Sequence, residues 1–167
     1  LAPIGTGLFY VRPDRIEKTW ALQPASAGQV KNIRKFEEIG THPAANHNAI
    51  AEALVFHRGI GIERKAARLQ YLKARWATEL TKLDRIELHT SLDPALSCAI
   101  GTVGIKGIPP GDIVSKLWTE RRIIATPITV GPAGAVEYAG IRVTPNVYTT
   151  LDEVDTFIDA MKRLAKS

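Results

Sequence analysis

Arg142 stands where residue type and spacing together select a chemistry. In the run Gly140-Ile141-Arg142-Val143-Thr144-Pro145-Asn146-Val147-Tyr148-Thr149-Thr150, period-two alternation puts Ile141 and Val143 on one face of a short strand and Arg142 with Thr144 on the other. Pro145 has no N–H to give a ladder, so the strand ends there. A guanidinium at a strand end offers a rigid fork of donors that fits a carboxylate or phosphate in bidentate fashion, which suits it to anchor an acidic small molecule. Read alone, the same residue also fits an ordinary surface or ion-paired arginine.

Gly40-Thr41-His42-Pro43 is the second place where chemistry could sit. It follows the charged stretch Lys35 to Glu38 and precedes a helix beginning near Asn46, so Thr41 falls on a loop aimed at a helix start. A hydroxyl and free amides suit an anion there, although an ordinary helix-entry turn has the same sequence. Gly5-Thr6-Gly7 could also offer N–H groups to a phosphate, yet a lone Gly-x-Gly more often permits a tight turn. His42, His47 and His57 are spaced by five and ten residues. That matches none of the spacings that put two imidazoles on one helix face for zinc, and polar interface histidines are the reading they support. Cys98, the single cysteine, lies among Ser97, Ala99 and Ile100, where a thiol in a strand behaves as a small hydrophobe.

These residues need elements to hold them. Gly5 to Arg12 reads as a strand, with Leu8 to Val11 buried, and Pro13-Asp14 opens a short helical turn. Leu22 to Asn32 reads as an irregular loop. Helices follow from about Ala45 to Arg58 and from Ile62 to Leu80, the second carrying Ile62, Ala66, Leu69, Trp76 and Leu80 at helical spacing. Gly59 to Gly61 is the expected hinge, dividing residues 1–60 from 61–167. Beyond it the order is strand, strand, helix, strand, strand, helix. Ile86 to His89 alternates as a half-buried strand, and Ser97 to Ile105 reads as a longer one. Pro109-Pro110-Gly111-Asp112 starts a helix that ends in Arg121 and Arg122, where cations suit the carbonyl end. Ile123 to Ala125 and Gly140 to Val143 read as short strands around a Gly/Pro-rich loop. Thr150-Leu151-Asp152-Glu153 is a capping box, opening a helix with Leu151, Val154, Phe157, Ile158, Met161 and Leu164 on one face. The fold class expected is α/β, with the second half a small α+β domain of helices on one face of a mainly antiparallel sheet.

Composition narrows the partners. The chain has 167 residues, 45% of them hydrophobic and 23% charged, as in ordinary globular proteins. No apolar run approaches the roughly 18 residues that span a bilayer, and the first twenty residues carry no signal-peptide pattern, so the expectation is a soluble chain with no membrane partner. Of the net +5, residues 1 to 35 carry +4, from six basic and two acidic groups. Such an arm could attract nucleic acid, but it has no run of like charge and no interleaved aromatics to stack bases.

In order and spacing, three blocks resemble the carboxy-terminal part of the class V pyridoxal-phosphate-dependent aminotransferase family, nearest its isopenicillin-N-epimerase-like branch. They are Ala2-Pro3-Ile4-Gly5-Thr6-Gly7-Leu8-Phe9-Tyr10-Val11, Lys35-Phe36-Glu37-Glu38-Ile39-Gly40-Thr41, and the run from Gly140 to Thr150. The resemblance covers essentially the whole chain and implies the carboxy-terminal portion of a fold-type I transferase. Residues 1–60 would be the last strand, arm and interface loop of a large cofactor domain. Residues 61–167 would be an interdomain helix and the small domain that closes over the site. It further implies that Arg142 clamps the substrate α-carboxylate. Gly40 and Thr41 would hold the phosphate of pyridoxal 5'-phosphate in the other subunit of a homodimer. The Schiff-base lysine would lie just upstream of Leu1, since no lysine present matches the family motif, and the chain alone would then be inactive. Cysteine desulfurases of the class carry a nucleophilic cysteine in the loop before the arginine; Ala125 to Ala139 holds none. Epimerisation or transamination of an amino acid or derivative is what the resemblance leaves. A non-catalytic dimerisation module and a basic nucleic-acid-binding domain are the other two readings.

Overall fold

A computed structural model describes residues 2–132 and 135–166. The chain forms two compact units, Leu1–Ile60 and Gly61–Ser167.

The first unit has little interior. Three short 3-10 turns, Pro13–Arg15, Ala27–Gln29 and Ile33–Glu37, precede helix α1, Ala44–Ile60. Ile16 is its one buried apolar side chain among the described residues, and α1 buries none. Lys35 is buried beside it, and its ammonium donates to the Ile16 and Val30 carbonyls, tying the turns together. The strand expected over Gly5 to Arg12 is absent: the segment pairs with no strand among the described residues, with Leu8 83% and Tyr10 82% exposed. An apolar run becomes a buried strand only where a neighbouring strand and a covering layer exist. Within this unit Phe9 meets Phe36 edge to face, with centroids 5.0 Å apart, and no ladder forms. The expected loop Leu22 to Asn32 holds one of the 3-10 turns.

The second unit has a dense core. Helix α2, Ile62–Leu80, leads to strands β1, Ile86–Leu88, and β2, Gly101–Ile105. Helix α3, Pro110–Arg121, strands β3, Thr126–Val130, and β4, Tyr138–Val143, and helix α4, Leu151–Lys166, complete it. The four strands lie in the order β1-β2-β4-β3, every pair antiparallel. Val103, Ile105 and Ile141 leave one face of the sheet and meet Leu72, Trp76 and Leu80 of α2, Ile113 and Leu117 of α3, and Phe157, Ile158 and Met161 of α4. The helices therefore cover one face of an antiparallel sheet, as the periodicities predict. The capping box forms in full: the Thr150 amide donates to Glu153 Oε2 at 2.8 Å, and the Glu153 amide donates to Thr150 Oγ1 at 3.2 Å.

Two strands begin later than expected. β3 begins at Thr126, after the expected Ile123 to Ala125. Arg122 takes a left-handed conformation (φ 58°), and the Ile123 amide closes back on the Leu117 carbonyl at 3.2 Å. Ile123 is thereby spent on ending α3. β2 begins at Gly101, four residues later than expected. The preceding segment is a turn around Asp93, whose side chain accepts from the Ala95 amide at 2.9 Å. Buried Lys73 of α2 fastens the same segment through the Ser91 carbonyl (3.0 Å) and the Ser97 hydroxyl. Cys98 is consequently exposed outside any strand, not buried within one. None of the described helices is long and apolar enough to cross a membrane.

Candidate functional site

Ladder register fixes the place of Arg142. It lies opposite Thr102 of β2 on one side and Thr126 of β3 on the other, so the three side chains form a row on the sheet face away from the helices. Ile141, one residue earlier, is fully buried on the opposite face. The guanidinium is exposed, and its one hydrogen bond among the described residues donates from Nη2 to Thr126 Oγ1 at a long 3.4 Å. No carboxylate among the described residues meets it.

Other arginines of this unit show what commitment looks like. Arg75 of α2 donates to both carboxylate oxygens of Asp155 on α4, at 2.7 and 2.6 Å. That bidentate bond holds Asp155 below the usual carboxylate range and raises the guanidinium further still. Beside it, hydrogen bonds from Lys82 and Lys162 hold Glu79 down to about 2. Arg68 donates to the Thr149 carbonyl (2.9 Å), and Arg85 donates to the Ala165 (3.1 Å) and Lys106 (3.0 Å) carbonyls. These forks fasten helices and loops. Arg142 fastens nothing comparable. A concavity of about 490 Å³ lies on the helix side of the sheet, walled by Trp76, Ile124, Val143, Thr144 and Phe157 among others; Arg142 is not one of its walls.

Gly40 and Thr41 lie in the first unit. Gly40 has φ +80°, a backbone that only glycine adopts readily, and the chain turns there into an exposed Thr41. The Thr41 hydroxyl has no partner among the described residues, whereas those of Thr6, Thr19, Thr81, Thr119 and Thr156 all donate to nearby carbonyls. Thr41 walls a concavity of about 1140 Å³ together with Gly7, Phe36, Gly40, His42 and His47. Gly5-Thr6-Gly7 is realised as a turn, with Gly5 at φ +86° and the Thr6 hydroxyl on the Pro3 carbonyl at 2.6 Å, while Gly7 reaches the same concavity as Thr41. His42 and His47 come together, ring centroids 4.5 Å apart; His57 instead lies beside Phe56. Sequence spacing did not show that pairing, because it depends on the turn at Gly40 and not on one helix face. Among the described residues, no three His, Cys, Asp or Glu side chains converge as a metal site.

This chain is similar over 79% of its length to the apo cysteine desulfurase of Thermococcus onnurineus NA1, with a TM-score of 0.67, 21% identity and 34% of that chain covered. It is 28% identical, over 98% of its length, to isopenicillin N epimerase of Streptomyces clavuligerus. The chain is thus similar in sequence to isopenicillin N epimerases and in fold to a cysteine desulfurase. An alanine–glyoxylate aminotransferase of Nostoc sp. is also similar in fold, with a TM-score of 0.54 at 18% identity, over 82% of this chain and 35% of the other. The chain spans 44% of the length of the Streptomyces epimerase, and no family model matches it. Its antiparallel sheet with helices on one face is part of the fold-type I architecture of these enzymes. Likeness to the desulfurase is one of fold. The stretch 125–139 contains no cysteine, and residues 133 and 134 within it lie outside the described residues.

Proposed function

We propose that this chain is part of a pyridoxal-phosphate-dependent enzyme acting at Cα of an amino acid or derivative, by epimerisation or transamination. One observation carries the reading: Arg142 keeps its fork free of acidic partners among the described residues while every strand around it is fixed by register. Held on a sheet, such a fork suits a carboxylate, and orienting that carboxylate selects which Cα bond lines up for cleavage. Substrate chemistry of this kind draws on the electron sink that the cofactor supplies when bound. Gly40 and Thr41 fit its phosphate end, because the turn leaves a hydroxyl without a partner at the wall of a concavity. We further propose that this contact is made to the partner subunit of a homodimer. Helix α1 supports that, since a 17-residue helix with no buried side chain calls for a covering surface. The amine that carries the cofactor is proposed to come from outside these 167 residues, since no lysine here matches the family motif.

The test is Arg142→Ala in the complete enzyme. Removing the fork should lower kcat/KM by roughly 2–5 kcal/mol of substrate interaction, with cofactor still bound by absorbance. Unchanged catalytic efficiency refutes the assignment, and a stoichiometric borohydride-reducible adduct at one lysine of this chain refutes the external amine. The basic arm gives nucleic acid little to hold: Arg12 and Arg15 pair with Asp14, Lys31 with Glu17 and Arg34 with Glu37, and Lys35 is buried.

A further inference from the structure

The geometry points to His42 and His47 as a paired imidazole contact for a phosphate monoester held at Thr41, an inference that rests on the reading of Thr41 above. Each ring has its Nδ1 beside a backbone carbonyl, Gly40 O at 3.0 Å for His42 and Pro43 O at 3.4 Å for His47. A carbonyl oxygen can only accept, so each Nδ1 carries the proton and each Nε2 is the nitrogen left over. Neither Nε2 has a partner among the described residues. The carbonyls also fix the ring planes, as outer hydrogen bonds do for functional imidazoles generally. Both rings wall the concavity that contains Gly40 and Thr41, and they meet edge to face.

A neutral Nε2 accepts; with one more proton it donates. An anion at Thr41 is therefore met by a proton moving from solvent onto Nε2, which turns the imidazole into a cationic donor to a phosphate oxygen. The other charged walls are Arg34, Glu37 and Glu38. Arg34 Nε lies 3.3 Å from Glu37 Oε2, and Glu38 accepts from Gln29 at 3.1 Å. Those carboxylates oppose a bare anion in the concavity, so cationic donors at the two Nε2 positions would offset them.

Histidine Cε1–H resonances of this chain, followed during titration with inorganic phosphate at constant ionic strength, test the inference. His57 and His89 serve as internal controls, since the chain has four histidines. Saturable shifts at His42 and His47, exceeding those of the controls, are expected. In the His42→Gln/His47→Gln variant, phosphate should bind about 10-fold more weakly while the Thr41 amide still responds. Sulfate, whose charge is constant between about pH 6 and 8, should bind more tightly at the lower pH. Equal small shifts at all four histidines overturn the proposal. A response at the Thr41 amide alone also overturns it and leaves the Thr41 reading standing. Silence at both overturns the two together.

Discussion

At the scale of single residues, the contrast between Arg142 and Arg75 separates a binding fork from a structural one. Arg75 stands on a helix and Arg142 on a strand, but Asp155 consumes the first and nothing acidic among the described residues meets the second. Arg142→Lys in the complete enzyme keeps the charge and loses the fork. It should lower kcat/KM by roughly 10- to 100-fold, because a point charge cannot make two parallel bonds to a carboxylate. Steady-state kinetics on the variant check this, and full activity with lysine would leave only a charge requirement. The face on which Arg142 projects was legible from alternation with Ile141 and Val143 alone. Its freedom from acidic partners was not, since ion pairs such as Arg75 with Asp155 join residues eighty positions apart. That the Thr41 hydroxyl meets no partner among the described residues, and that His42 pairs with His47, were hidden for the same kind of reason: each follows from the backbone turn at Gly40.

At the scale of elements, what the sequence revealed tracked how much of each signal was local. The capped helix α4 and the amphipathic α2 carry their whole instruction in their own residues, and both form as the spacing predicts. β2 and β3 depend on distant or competing bonds, the lysine of α2 for one and the closure of α3 for the other, and their starts moved. Gly101 shows how tightly β2 then seats. A Cβ there would lie 2.6 Å from Cζ2 and 2.9 Å from Cη2 of Trp76, a ring that is 1% exposed and braced edge to face by Phe157. Gly101→Ala should therefore destabilise the second unit by about 1–3 kcal/mol through overpacking, measured by urea unfolding. A neutral result would mean that α2 can slide on the sheet.

At the scale of the whole molecule, the two units differ in what holds them. The first has one buried apolar side chain among its described residues and an α1 without any, so limited proteolysis of this chain should cut before Gly61 well ahead of any cut within β2, β4 or α4. The second unit has its core and also a charged seam between α2 and α4: Arg75 with Asp155, and Glu79 with Lys82 and Lys162. Glu79, Asp155 and the capping Glu153 are all held below the ordinary carboxylate range, in each case first by hydrogen bonds to the charged form. A carboxylate with a depressed folded-state pKa stabilises the fold fully above its unfolded value, and that contribution is lost as pH falls through the folded one. The loss should begin near 4.5, the usual value for Glu79, and run down towards about 2. Because the pairs are partly exposed, added salt should shrink the effect and narrow its window from the acid end. Thermal midpoints of the second unit, read by the emission of buried Trp76, should hence stay level from neutral pH to about 5 and fall below it. Asp155→Asn should lower the plateau by a few degrees and flatten the acid limb, since the variant takes up one fewer proton on unfolding in acid. A midpoint that falls instead between pH 5 and 8 would place the stabilising charges elsewhere than this seam.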